Sequence, residues 1–272
     1  MFVRRVPRLA VVSRPARVAA LALLCAVLGG CLRGGEARLR EGNRAARDGR
    51  LEDARKGFAA AAAALPNDPR PRVLLGNVLF ELGRPDEARA AWREALERDP
   101  ASRAAHLGLA RLALDAQDAG AALEALGPPG PADEVDASLA AEEDTVRGLA
   151  LLALGGAGDA ERALAAADAA LTHAPAHPEA LYVRAGALLV LGRYSDAQAA
   201  LEQLSSKHPT SPLGPYGLAR LAAAQGRATD VLLHLAAAKS AAGPAWRPER
   251  VAADPAFAFL SSSEGFLALV AK

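Results

Sequence analysis

Charge and apolarity alternate along this chain in blocks that repeat. The stretch GRPDEARAAWREALERDP, residues 83–100, reads as a charged amphipathic helix, and its pattern stands thirty-four residues earlier as GRLEDARKGFAAAAAALP. Gly42, Gly49, Ala54, Phe58, Ala61 and Pro66 recur as Gly76, Gly83, Ala88, Trp92, Ala95 and Pro100, six matches at one offset. The register resumes over 178–211 with Gly192, Tyr194, Ala197 and Pro209, and Pro175 closes the unit before it. Leu218, Ala219, Gly226 and Ala238 carry it through a degenerate last unit. Seventy-five residues separate Pro100 from Pro175, seven more than two periods. The turn-forming pieces GPPGPADEVDAS, after Leu126, and GGAGD, after Leu154, take up that surplus.

A thirty-four-residue period built on these residue types resembles the tetratricopeptide repeat, a helix–turn–helix unit. The resemblance implies an all-α, right-handed superhelical solenoid over 35–243. Its six repeats fall at about 35–68, 69–102, 103–140, 141–177, 178–211 and 212–243, the third and fourth being least regular. Each repeated residue has a steric role. A small residue within the first helix admits the partner helix, the second glycine makes the turn, the alanine lies at the helix crossing and the aromatic fills the gap between repeats. Proline ends the second helix because it has no N–H to donate.

The tail, 244–272, leaves the register and holds Trp246, Phe257, Phe259 and Phe266, half of the chain's Phe and Trp. It is expected to cap the last repeat, whose apolar end would otherwise face water.

The first thirty residues stand apart. Five arginines and no acid precede an uncharged run, VAALALLCAVL at 18–28. That run is too short to cross a bilayer, which takes roughly 18 or more residues, and it reads as the core of a secretory signal peptide. Leu28-Gly29-Gly30-Cys31 resembles the bacterial lipobox. By that resemblance, residues 1–30 are a lipoprotein signal peptide and Cys31 becomes the acylated N-terminus, followed by a short linker (31–34). Loss of Cys25 with the signal leaves no second cysteine for an internal disulfide. Without the five arginines, 27 basic residues face 31 acidic ones, so the body is expected to rely on acyl chains rather than on charge to stay on a membrane. Leu32 is not the aspartate that retains some lipoproteins at the inner membrane, so the expected address is the outer membrane, facing the periplasm.

Candidate chemistry is sparse. The net charge of +1 argues against an electrostatic nucleic-acid binder. His173 and His177 have the spacing of helical zinc ligands, but Pro175 lies between them. GGAGD lacks the lysine and hydroxyl of a phosphate loop, and no nucleophile motif occurs. The expectation is a non-enzymatic protein with no metal, no cofactor beyond the lipid on Cys31 and no small-molecule substrate.

Arrays of this kind bind partners along the face lined by their first helices. The ninth position of the first two repeats is Asn43 and Asn77, which resembles peptide-binding members, where such an amide holds an extended ligand backbone. Arg47, Phe80, Arg111, Tyr182 and Tyr216 complete the candidate peptide-binding set, with Arg40, Leu114, Leu189 and Arg220 nearby. The family's clamp for a C-terminal carboxylate needs basic residues where this chain has Leu39, Ala104 and Gly108. The expected function is a membrane-anchored scaffold or adaptor that binds a segment of another envelope protein. The alternative is a pilotin-like or outer-membrane assembly lipoprotein.

Overall fold

A computed structural model describes residues 33–128, 136–156 and 158–271, and all of its regular structure is helical. The signal-peptide and Cys31 expectations fall outside these residues. The helices are α1 (33–47), α2 (Leu51–Ala64), α3 (Arg70–Glu81), α4 (Pro85–Arg98), α5 (Arg103–Asp115), α6 (Ala119–Leu126), α7 (Ala137–Leu154), α8 (Asp159–His173), α9 (Pro178–Val190), α10 (Tyr194–Lys207), α11 (Leu213–Ala224) and α12 (Ala228–Ala242). They form six helix pairs. A short 3₁₀ turn, α13 (Pro248–Ala253), a second 3₁₀ turn (Pro255–Leu260) and α14 (Glu264–Val270) follow. The chain divides into two compact units, Met1–Gly108 and Leu109–Lys272.

Second helices arise from one local pattern. In α4, Pro85 occupies the first turn, where a missing N–H costs nothing. Asp86 and Glu87 meet the positive end of the helix dipole, and Arg98 the negative end. Ala88, Ala91, Trp92 and Ala95 are buried on a single stripe. Ala197, Ala200, Leu201 and Leu204 do the same in α10. The arginine preceding each of four second helices pairs with an acid three residues on. The pairs are Arg50–Asp53 at 3.0 Å, Arg84–Glu87 at 2.6 Å, Arg193–Asp196 at 2.6 Å and Arg227–Asp230 at 2.8 Å. Being exposed, each is worth about 1 kcal/mol or less, but the motif marks the start of the helix.

Before those arginines, Gly49, Gly83, Gly192 and Gly226 all have φ of 71–72°. In the third repeat the same place is taken by Gln117 at φ 62°, which is why that turn carries no glycine signal in the sequence. Glycine also governs the packing of Trp92, which is 1% exposed. A Cβ on Gly76 would come within 2.5 Å of the indole nitrogen, and one on Gly108 would collide with Cε2 and the nitrogen of the same ring. The indole fits because both neighbouring first helices present bare backbone to it.

Connections between repeats are tied by side chains to backbone carbonyls. Arg72, buried at 7%, donates to the carbonyls of Leu65 and Asp68 and pairs with Glu94 at 3.3 Å. Arg98 donates to Pro66, and a ring nitrogen of His208 bonds the Ala176 carbonyl thirty-two residues back, as Arg98 does. Nδ1 of His177 accepts the Ala180 N–H at the start of α9.

Two boundaries and one side chain differ from the sequence reading. The fourth repeat begins at Ala137 rather than 141, because the Asp136 side chain accepts the Ser138 N–H and starts α7 there. Residues 33 and 34 belong to α1, not to a linker, since Gly35 and Leu39 are already buried on its packed face. Phe259, expected to join the cap, is 52% exposed, because the tight turn of Pro255–Leu260 directs Phe257 and Leu260 inward instead.

Candidate partner-binding cleft

The ninth-position row reads Asn43, Asn77, Arg111, Leu149, Gly186, Arg220 along successive first helices. In the first unit, Asn43 is half-buried and Asn77 exposed, and the two amides are not equivalent. The Asn77 amide oxygen accepts the Trp92 indole N–H at 3.1 Å, whereas Phe58, the counterpart of Trp92 in the first repeat, has no donor. Asn77 is thus engaged by the side chain that fills the gap between repeats, which the register alone does not show. Phe80 leans on Trp92 with ring centroids 6.1 Å apart, and Arg47 is exposed on α1. The positions of the carboxylate clamp are filled otherwise: Leu39 is core, and Gly108 lies beneath the indole, where a basic side chain would collide with it.

In the second unit, Arg111 is paired with Glu142 at 2.9 Å. Tyr182 and Tyr216 face each other at 6.5 Å and line a cleft of about 800 Å³. The first helices of four repeats supply its floor: Leu114 and Asp115 from α5, Leu149, Leu152 and Ala153 from α7, Gly186 and Val190 from α9, and Arg220 from α11. The tail supplies the opposite wall through Glu249, Arg250, Ala253, Asp254 and Pro255.

Asp254 fixes that wall. One of its oxygens accepts the Ala256 N–H at 3.0 Å. The other accepts the Tyr216 hydroxyl at 2.6 Å and lies 3.6 Å from the Arg220 guanidinium. Burial, and then the adjacent carboxylate, push the Tyr216 hydroxyl well above the ordinary tyrosine range, so it stays a donor to Asp254. Arg220 also reaches the Tyr182 hydroxyl at 3.4 Å. At the other lip Arg250 meets Asp115 at 2.8 Å, 135 residues away in sequence. Behind the wall, Phe257 stacks edge-on against Tyr216 and packs on Phe266, within a core shared with Val231, Leu235 and Val251. The tail therefore closes the last helix pair and borders the cleft.

The cleft has two chemistries. Leu114, Leu149, Leu152 and Val190, the last 67% exposed, offer apolar surface over the gap at Gly186. Tyr182, Arg220 and Asp254 offer donors and acceptors. Of its residues, the sequence reading placed Tyr182, Tyr216, Leu114 and Arg220 on this face. Leu149 and Gly186 follow from the same count, but Asp115, Arg250 and Asp254 depend on where the aperiodic tail folds. Among the described residues no cluster of metal-ligating side chains occurs, and no helix is long and apolar enough to cross a membrane.

Paired helices lining an open cleft define a helical-repeat scaffold of the kind that holds other proteins. Two sequence models of the tetratricopeptide repeat match the chain, one over 45–93 and 156–214, the other over 73–127 and 187–245. The chain belongs to the tetratricopeptide-repeat family, whose members are protein-interaction scaffolds and generally not enzymes. No curated protein matches it. Among solved structures it is similar to TTC0263, a thermophilic repeat protein of Thermus thermophilus, at 25% identity and a TM-score of 0.54, over 67% of this chain and 95% of that one. PilF of Pseudomonas aeruginosa is 16% identical with a TM-score of 0.61, over 78% and 93% of the two chains. PilW, a type IV pilus biogenesis factor, is 16% identical with a TM-score of 0.60, over 76% and 92%.

Proposed function

We propose that this protein is a scaffold tethered to the bacterial envelope through lipid on Cys31, and that it holds an extended segment of another envelope protein in the cleft of its second unit. The observation that carries the reading is the cleft itself, with exposed Val190 and the Gly186 gap on one side and Tyr182 and Arg220 on the other. An apolar side chain enters over Gly186 while the ligand backbone exchanges hydrogen bonds with the polar side. This reading favours the Tyr182 and Tyr216 end over the Asn43 and Asn77 end, where the oxygen of one amide already accepts the Trp92 indole N–H.

Photocrosslinking tests it. A crosslinkable residue at Val190 should give adducts with an envelope protein, and one at Asn43 should not. Adducts from Asn43 alone would place binding in the first unit. Capture of a single secretin or barrel subunit would favour the pilotin-like role, and several unrelated clients a general adaptor. For the anchor, Cys31→Ala should abolish fatty-acid labelling and detergent partitioning. Equal partitioning of both proteins would remove the lipid from the account.

A further inference from the structure

Most arginines among the described residues pair with a nearby acid, as at Arg50, Arg55, Arg84, Arg89, Arg184 and Arg193. The first helix departs from that rule. Arg33, Arg40, Arg44 and Arg47 are all exposed, and none has an ion-pair partner among the described residues. Their spacing of seven, four and three places all four within about 60° of arc on an α-helix, in a stripe roughly 21 Å long. The opposite face carries the buried residues Gly35, Leu39, Gly42 and Ala45, so the stripe points directly away from the packed body. Glu36 is drawn off by Arg70 at 2.8 Å, and Glu41, three residues from both Arg38 and Arg44, lines a shallow hollow with them at the edge of the stripe without forming an ion pair to either.

The repeat register shows what these positions ordinarily do. One period on, Arg40 and Arg44 become Leu74 and Val78, which pack against the core of the first helix pair. At these two positions the leading face carries arginine where the next repeat carries apolar contacts, while Arg33 and Arg47 correspond to Asn67 and Glu81. A mixed polar surface would suffice for solubility. A stripe of one sign calls for an anionic partner.

We propose that Arg33, Arg40, Arg44 and Arg47 form a docking face for the anionic headgroups of the membrane to which the chain is tethered. This rests on the membrane-tethered reading above, and position is what selects lipid over an acidic protein. Arg33 is two residues from Cys31 and five from the apolar run 18–28, so the chain between Cys31 and Arg33 spans at most about 7 Å. That is within one Debye length, about 10 Å at moderate salt. Although the body has excess acid, its membrane-proximal helix does not: α1 holds five arginines against two glutamates. The stripe would press the leading end of the array to the bilayer, fixing its orientation where acyl chains alone would leave it free to swivel.

Vesicle sedimentation with the full chain carrying Cys31→Ser, which removes acylation, reads the stripe directly. Binding to phosphatidylcholine vesicles containing phosphatidylglycerol should exceed binding to pure phosphatidylcholine by at least about tenfold at low salt, since each arginine near an anionic surface contributes several-fold. Replacing the four arginines by glutamine should bring that ratio close to one. Replacing them by lysine, or replacing the ion-paired Arg84 and Arg89 by glutamine, should preserve it. An unchanged ratio in the glutamine variant, or no preference in the parent, overturns the proposal. Stripe-dependent binding of poly-glutamate without any lipid preference would overturn it in favour of an acidic protein. The anchor fails separately: a wild-type protein without fatty-acid label but with the stripe-dependent lipid preference refutes lipidation of Cys31 and supports the docking face.

Discussion

The hydroxyl of Tyr216 donates to the carboxylate of Asp254 at 2.6 Å, joining the last first-helix to the tail across thirty-eight residues. The bond is largely shielded, with the Asp254 side chain 11% exposed, and Tyr216→Phe removes only the donor. Loss of a hydrogen bond to a charged group costs about 1.5–3 kcal/mol. Tyr216→Phe should lower the melting temperature by several degrees and speed proteolysis after Gly243. Asp254→Ala, which also frees the Ala256 N–H and Arg220, should do more. An unchanged proteolytic pattern in both variants would show that the aromatic core alone seats the tail.

Asn43 and Asn77 should behave differently in the free protein. Asn77→Ala leaves the buried indole N–H of Trp92 without its acceptor, at a cost of about 1–3 kcal/mol, and should shift the fluorescence of that tryptophan. Asn43→Ala should leave both stability and fluorescence unchanged. Equal effects would mean the Trp92 bond contributes nothing net.

Gln117 offers a test of backbone strain. A side chain in the left-handed region costs about 1–2 kcal/mol, and glycine gives back roughly 0.5–1 kcal/mol in unfolded-state entropy. Gln117→Gly should therefore raise the melting temperature by a degree or more. A decrease would show that the glutamine side chain makes contacts worth more than its strain.

Gly186 separates stability from binding. Glycine inside a helix is less favourable than alanine by about 1 kcal/mol, and an added Cβ meets only the end of Leu152, at 3.0 Å. Gly186→Ala should leave the fold intact or stabilise it, while Gly186→Leu fills the gap and should weaken partner binding about tenfold or more. Full affinity in Gly186→Leu would move the anchor point of the ligand elsewhere in the cleft.

Acid should destabilise the last helix pair through His234. Burial holds its pKa below the ordinary 6.5, against a smaller opposing pull from Asp230. Because the folded state disfavours the protonated ring, its contribution is complete above about pH 6.5 and is lost as pH falls through that value. The melting temperature of His234→Gln should vary less between pH 7 and 5 than that of the parent. Identical slopes would assign the acid sensitivity to other groups.

The array is legible in the sequence because every repeat must meet the same neighbours. Gly76 and Trp92, Ala88 and Pro100 recur for steric reasons that do not depend on the rest of the chain. The third repeat is harder to read because Gln117 holds the turn where glycine serves elsewhere, and its second helix, Ala119–Leu126, has eight residues against fourteen in α4. The face containing Tyr182 and Tyr216 can be counted from the register, but its outer wall cannot. Asp254 and Arg250 reach Tyr216 and Asp115 through the path of an aperiodic tail, and no spacing rule connects residues 135 apart.

The chain has two tryptophans, and each compact unit holds one. Trp92 is enclosed in the first unit with its indole bonded to Asn77, and Trp246, in the second, donates to the Leu269 carbonyl at 3.3 Å. The molecule thus carries its own pair of optical gauges. With Trp246→Phe, emission follows the opening of the first unit alone; with Trp92→Phe, it follows the seating of the tail. Denaturant titrations of the two variants, compared with helix content, would reveal whether the units melt as one cooperative body or in succession, and which of them a bound partner protects.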